Sequence, residues 1–264
     1  MTGIAAMPVK TAPVLDATTL RVLTVNTHKG FSSFNRRFIL HDLREAVREV
    51  GADIVFLQEV QGVHRGHARR FANYPQAPHY EFLADQIWGD FAYGRNAIYP
   101  HGDHGNAVLS KFPIVSYENR DISIQGPERR GMLHCVVEVP PLEGRKIHVV
   151  CVHLGLREGH RRRQLELLAA MMRDEIPDDS TVIVAGDFND WRRRANSILS
   201  EHGLHEVFNS ANGRSARSFP ARFPMLQLDR IYVRNVIRHR PINLHRHPWS
   251  RLSDHAPLAA EVTL

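Results

Sequence analysis

Eight polar residues recur at one kind of position in this sequence, where an apolar run empties into a loop. The plainest case is residues 181–190, TVIVAGDFND. There Val182, Ile183, Val184 and Ala185 read as a buried strand that breaks at Gly186 and delivers Asp187 and Asn189 to its end, with Asp190 following outside the eight. Leu20–Asn26 (LRVLTVN) alternates and ends on Asn26, Asp53–Glu59 (DIVFLQE) ends on Glu59, and Lys146–Leu154 carries His153 near its close. Asp229 is embedded in the strand pattern Leu226–Val233, and Asp254 and His255 stand just before a closing strand, Leu258–Val262. Carboxylates, amides and imidazoles on rigid strand ends, with an apolar wall behind them, have what acid–base or metal chemistry needs: fixed geometry, access and weak screening. A glutamate ending an apolar strand is costly unless it is exposed or neutralised, and a hard cation such as Mg²⁺ would neutralise Glu59. Asp229 needs a partner too, and a histidine would serve.

The elements that must position these groups follow from periodicity. Arg37–Val50 has a helical stripe stopped by Gly51, and Glu158–Arg173 is a helix whose Arg161–Arg163 run reads as a solvated edge. Trp191–Leu199 is a further helix. Tyr80–Leu83, Phe91–Tyr99, Ala107–Ser110 (entered from Asn106) and Gly131–Val139 read as strands. Gly62–Pro78 reads as a loop or exposed helix, and His239–His247 as a basic surface loop. THKGF after Asn26 is either a phosphate-facing loop or an ordinary turn, and His101, Asp103 and His104 read as loop residues facing water. No repeat of 20–50 residues is present. Strands with helices between them place the eight polar ends on a single rim if two sheets pack face to face with helices outside.

Composition bounds the partners. The 264 residues give length for a sizeable core, and 43% hydrophobic with 23% charged residues is a soluble globular balance. The net charge of +6 is carried by arginine, since only four of the 34 basic residues are lysine. Arginine's fork suits phosphate, so a polyanionic or phosphorylated partner is expected. Cys135 and Cys151 lie in apolar strand-like runs and read as buried reduced thiols, which with the lack of a signal pattern or membrane span points to a cytoplasmic protein. Residues 1–19 read as a flexible leader and 20–264 as one domain.

The blocks LTVN, DIVFLQE, GNAVLSKFP, VCVHL, AGDFND, LDRIYV and SDHAPL, in that order, resemble the endonuclease/exonuclease/phosphatase superfamily, whose fold is that of DNase I. NTHKGF, FAYGRNAIYP, HLGLREGHR and GDFNDW look most like its bacterial YbhP-type members. The resemblance implies an α/β fold, a four-layered α/β/β/α sandwich, and hydrolysis of phosphate esters with Mg²⁺ or Mn²⁺. It implies Glu59 as principal metal ligand with Asn26 and Asp254 at or near the ion. Asp187 would take the proton of the attacking water and Asn189 orient that water or bond the phosphate. Asp229 would fix His255, which donates to a phosphate oxygen, with His255 as the base in an alternative assignment. His153 would contact the phosphate or leaving oxygen, and Asn106 would hold the phosphate or wall the pocket. The expected substrate is nucleic acid, DNA or RNA, with a phospholipid headgroup or small phosphorylated metabolite as the alternative. Peripheral phospholipid contact stays open, and no obligate protein partner is evident.

Overall fold

The computed structural model describes residues 17–142 and 144–264, so most of the expected leader lies outside the described residues. The chain runs β1 (Thr19–Asn26), α1 (Leu40–Val50), β2 (Ile54–His64), α2 (Arg65–Arg70), α3 (His79–Ala84), β3 (Asp90–Tyr99), β4 (Gly102–Ser110) and β5 (Ile114–Asp121). It continues through β6 (Gly131–Val139), β7 (Arg145–His153), α4 (Glu158–Asp174), β8 (Val182–Asp187), α5 (Arg194–Ser200), β9 (His205–Glu206) and α6 (Val207–Asn212). It closes with β10 (Asp229–Arg234), β11 (Arg238–Ile242), α7 (Arg246–Trp249) and β12 (Leu258–Thr263).

Among the described residues these strands form two six-stranded sheets, ordered β11-β12-β1-β2-β4-β3 and β5-β6-β7-β8-β10-β9. Strand alternation explains the layers. In β1, Leu20 and Val22 point between the sheets, while Leu23 and Val25 pack under Leu40, Leu43 and Val47 of α1. In β8, Ile183 and Ala185 point between the sheets, while Val182 and Val184 meet Leu165, Leu168 and Met172 of α4. The result is the expected α/β/β/α sandwich, with one apolar layer between the sheets and one beneath the helices on each outer face. Both cysteines are free and buried in it.

The layer between the sheets changes character along its length. On the inward face of β1, Leu20 and Val22 give way to Thr24 and Asn26, and on β2 Ile54 and Phe56 give way to Gln58. On β7, Ile147, Val149 and Cys151 lead to His153, and on β8 Ile183 and Ala185 lead to Asp187. β1 and β2 run parallel, as do β7 and β8, so each pair brings its polar ends to the same side. Gly186 lets β8 sit close enough to β7: at φ 147° a Cβ there would stand 2.0 Å from the Val152 carbonyl oxygen.

Several expectations are corrected. Tyr80–Leu83 lies in α3 rather than a strand, because a four-residue apolar stretch has no readable period. β2 continues past Glu59 to His64, and Glu59 sits at a register shift against β4 rather than at the strand's end. Asp229 opens β10 instead of being embedded in it, Asn106 lies within β4, and residues 239–247 contribute β11 and α7. The edge strand β5 was not expected.

One core residue predicts an acid response. His79 is fully buried among Tyr74, Phe38 and Gly30, and neither ring nitrogen has a hydrogen-bond partner among the described residues. Burial, with help from His67 and His64, pushes its pKa down to about 3. The unfolded chain therefore binds a proton near pH 6.5 that the folded chain refuses, so stability is full above that pH and is lost as pH falls toward 3. Urea unfolding at pH 7 and pH 4 should show His79→Phe losing about 3 kcal/mol less than wild type on acidification. Parallel losses in the two proteins would refute this.

Candidate active site

Asp187 is the centre of the polar end. It is buried at the end of β8, and its Oδ1 accepts the Asn189 backbone N–H at 2.9 Å. Its Oδ2 accepts from the Asn26 side-chain amide at 3.2 Å and lies 3.6 Å from His153 Nε2 and 3.8 Å from His255 Nε2. One carboxylate oxygen thus meets nitrogens from β1, β7 and the loop before β12. Those segments belong to both sheets. Burial, then Asp229, outweighs the favourable field of His255 and pushes the Asp187 pKa up to about 6.

His255 Nδ1 is 2.8 Å from Asp229 Oδ2, so the outer nitrogen is left facing Asp187. Burial opposes its charge, but the Asp229 and Asp187 carboxylates prevail and raise its pKa to about 10. His153 has the opposite fate: burial, reinforced by Arg130 and His255, holds it well below the usual imidazole range. Two adjacent histidines are therefore a cation and a neutral ring near neutral pH.

The loop geometry that delivers these groups is strained. His28 (φ 44°), Lys29 (φ 56°), Glu59 (φ 52°) and Asn189 (φ 49°) all take left-handed backbone conformations. For residues with a Cβ this costs about 1 kcal/mol or more each, and such strain gathers where function fixes the geometry. Asn189 is held there by its own amide, which donates to the Leu154 carbonyl at 2.9 Å. Ser253 Oγ donates to the Asn26 carbonyl at 2.7 Å and so ties the Asp254–His255 loop to the end of β1.

Glu59 and Asp254 stand apart from this cluster, each beside a basic side chain. Lys29 Nζ is 3.6 Å from Glu59 Oε2, and His28 Nδ1 is 3.9 Å from Asp254 Oδ1. Burial raises the Glu59 pKa, yet Lys29, His28 and His104 together bring it below the ordinary value. No hydrogen bond or ion pair joins Glu59, Asp254 and Asn26 to one another among the described residues. Asn106 is a brace between the sheets, donating from its Nδ2 to Gly131 O at 2.8 Å and toward Cys151 O at 3.4 Å. Asp190 is not part of the cluster; its Oδ2 accepts from Ala195 N and caps α5.

The THKGF loop, read from the sequence as either a phosphate-facing loop or an ordinary turn, lies beside the Asp254 and Glu59 carboxylates, which His28 and Lys29 face. His104 is buried rather than solvated: Tyr99 Oη lies 3.0 Å from its Nδ1, and burial lowers its pKa to about 4. A cavity of about 620 Å³ opens beside Glu59, lined among others by Lys29, Tyr99, His104, Arg129 and Arg130. A larger one, about 720 Å³, lies at the opposite end of β10 around Gly203 and Arg234, away from every group named above.

Known proteins share this fold and sequence. Residues 23–255 match the model of the endonuclease/exonuclease/phosphatase family. The chain is 59% identical over 245 residues to the uncharacterized protein YbhP of Escherichia coli (strain K12), covering 92% of this chain and 96% of that one. The Shigella flexneri protein of that name matches equally. An endonuclease/exonuclease/phosphatase structure from Beutenbergia cavernae superposes with TM-score 0.70 at 19% identity, covering 93% of this chain and 72% of that one. D. rerio TDP2, solved with a single-strand DNA product, gives 0.62 at 17% identity, covering 93% and 98%. Enzymes of this family act on phosphate esters and generally use divalent metals. By the match across most of its length and its close YbhP relatives, the chain belongs to the endonuclease/exonuclease/phosphatase family.

Proposed function

We propose that this protein is a divalent-metal-dependent phosphodiesterase that cleaves nucleic acid by in-line attack of water. The observation that carries the reading is the convergence of Asn26, His153 and His255 on Asp187 Oδ2. A carboxylate with pKa raised to about 6 is basic enough to take a proton from water and is still ionised near neutral pH. The charged His255, fixed by Asp229, offers Nε2–H to a non-bridging phosphate oxygen as negative charge builds. Neutral His153 donates to the phosphate or to the leaving oxygen, and Asn189 orients the water. Asn106 walls the pocket from below.

The residues present fit a hard cation. Glu59, Asp254 and the Asn26 amide oxygen are all oxygen donors, and each carboxylate already faces a positively charged or protonatable side chain. These three would hold Mg²⁺ or Mn²⁺, which supplies charge neutralisation at the phosphate when bound. Asp187, Asp229 and His255 also lie close enough to one another to share an ion. The Asp229–His255 hydrogen bond and the raised imidazole pKa make that trio a proton-holding group instead.

Labelled single-stranded DNA and supercoiled plasmid, incubated with Mg²⁺ or Mn²⁺ at low salt, test the reading, with bis(p-nitrophenyl) phosphate as a check on the site. Cleavage of nucleic acid should be abolished by EDTA, fall at least tenfold in Glu59→Gln, and weaken as salt displaces backbone contacts. If only the chromogenic ester is cleaved, nucleic acid is excluded and phospholipid headgroups or small phosphate esters take its place. Cleavage unaffected by EDTA refutes the metal requirement.

A further inference from the structure

Three exposed aromatic rings stand on the loops that carry the site, and each has an arginine over its ring. Phe34 is 84% exposed with Arg36 at 5.3 Å, and Ser33 in its loop donates to the Ser253 carbonyl. Phe223 is 64% exposed with Arg246 at 4.8 Å, and Ala221 in its loop donates to the Asp254 carbonyl. Trp191 is 43% exposed, follows Asn189 by two residues, and has Arg161 at 4.1 Å.

The Trp191 pair differs from the other two because its arginine is buried. Arg161 is 2% exposed, although its place in the Arg161–Arg163 run suggested a solvated edge. Its Nη1 donates to the Gly155 and Leu156 carbonyls, which follow His153 on the same loop. Its Nη2 has no hydrogen-bond partner among the described residues, so the indole face is part of what compensates the charge. The guanidinium fixes one face of Trp191 to the His153 loop. The indole remains substantially open to solvent on the loop that carries Asn189 and begins where β8 ends at Asp187.

We infer that Trp191 is a stacking platform for a nucleobase next to the scissile phosphate, and hence that the preferred substrate is single-stranded. The inference rests on the nuclease reading above and narrows it. A base offers an open face only when it is unstacked from its neighbours, and base–aromatic stacking is tolerant of sequence. Arg192 and Arg193 follow directly in sequence; Arg192 pairs with Glu158, and the exposed Arg193 supplies cationic charge for the backbone. If Trp191 served only to cover Arg161, binding would not depend on whether a strand carries bases.

Fluorescence isolates this residue, because Trp88 and Trp249 are only 1% and 6% exposed. In an Asp187→Asn background, which binds without consuming the probe, a short oligothymidylate should shield the accessible tryptophan from acrylamide. An abasic strand of equal length should not. Trp191→Ala should weaken oligothymidylate binding about tenfold and leave abasic-strand binding unchanged, with Trp191→Phe restoring most of the loss. Equal shielding by both strands, or oligothymidylate binding indifferent to Trp191→Ala, overturns the platform while the nuclease reading stands. Binding of neither strand by a preparation whose wild type hydrolyses the chromogenic ester overturns both. The shielding measurement keeps Trp191 in place and so decides the matter even if the alanine variant does not fold.

Discussion

Asp187→Asn should lower phosphodiester hydrolysis by about 10³-fold, the range expected when a general base is removed. The amide keeps the size of the carboxylate and can still accept the Asn189 N–H, but it cannot take a proton. The fold should not suffer. Burial raises the Asp187 pKa to about 6, so its ionised form is held against a desolvation penalty that an amide lacks. The sign follows from linkage: a carboxyl group that ionises later when folded than when unfolded destabilises the folded state at pH above its folded pKa. Thermal unfolding at pH 7.5 should therefore show a midpoint no lower than wild type, alongside the lost turnover. A variant that keeps a third of the wild-type rate removes Asp187 from the mechanism. A midpoint below wild type refutes the stability argument.

Asp229→Asn should cost about 10²-fold or more at pH 8, with the deficit widening toward pH 9. Asp229 orients His255 through the 2.8 Å contact at Nδ1 and is the largest influence raising the imidazole pKa against burial. With that charge gone, His255 loses its proton at lower pH, and the donor to the phosphate disappears over a range where the wild type retains it. The ratio of wild-type to variant rates should rise steadily from pH 6 to pH 9. A flat ratio would mean that Asp229 orients the ring without sustaining its charge. A ratio near one throughout would remove the pair from catalysis.

What could be read in the sequence was whatever depends on short stretches. A run such as Val182–Ala185 followed by Gly186 and Asp187 announces a buried strand with a carboxylate at its end, because the apolar run and the break are neighbours in the chain. Asn26, His153 and His255 were legible for the same reason, and the superfamily resemblance gathered them before any distance was known. Burial set by distant partners was not legible. Arg161 sits in a charge run, and nothing nearby says that Trp191 covers it. His104 looks like a loop residue until β3 and β4 pair and bring Tyr99 beside it. Glu59 showed as the end of a strand because its left-handed backbone and the register shift against β4 come from pairing across the sheet. The short stretch at residues 79–84 could not declare itself helix or strand, since tertiary packing decides at that length.

The pairing of β1 with β12 also governs when the candidate site can be complete. Thr19 aligns with Thr263 and Thr24 with Leu258, so the first strand of the fold waits for the last. Asp254, His255 and the Ser253 hydroxyl that anchors their loop to Asn26 all precede β12 directly. A chain still being translated can already contain β7 and β8, with His153 and Asp187, yet it lacks the His255 imidazole and the Asp254 carboxylate. The full set of candidate site residues is therefore assembled in one late step, once β12 has paired with β1. A chain ending before Ser253 would lack Asp254 and His255 and would leave β1 without its antiparallel neighbour.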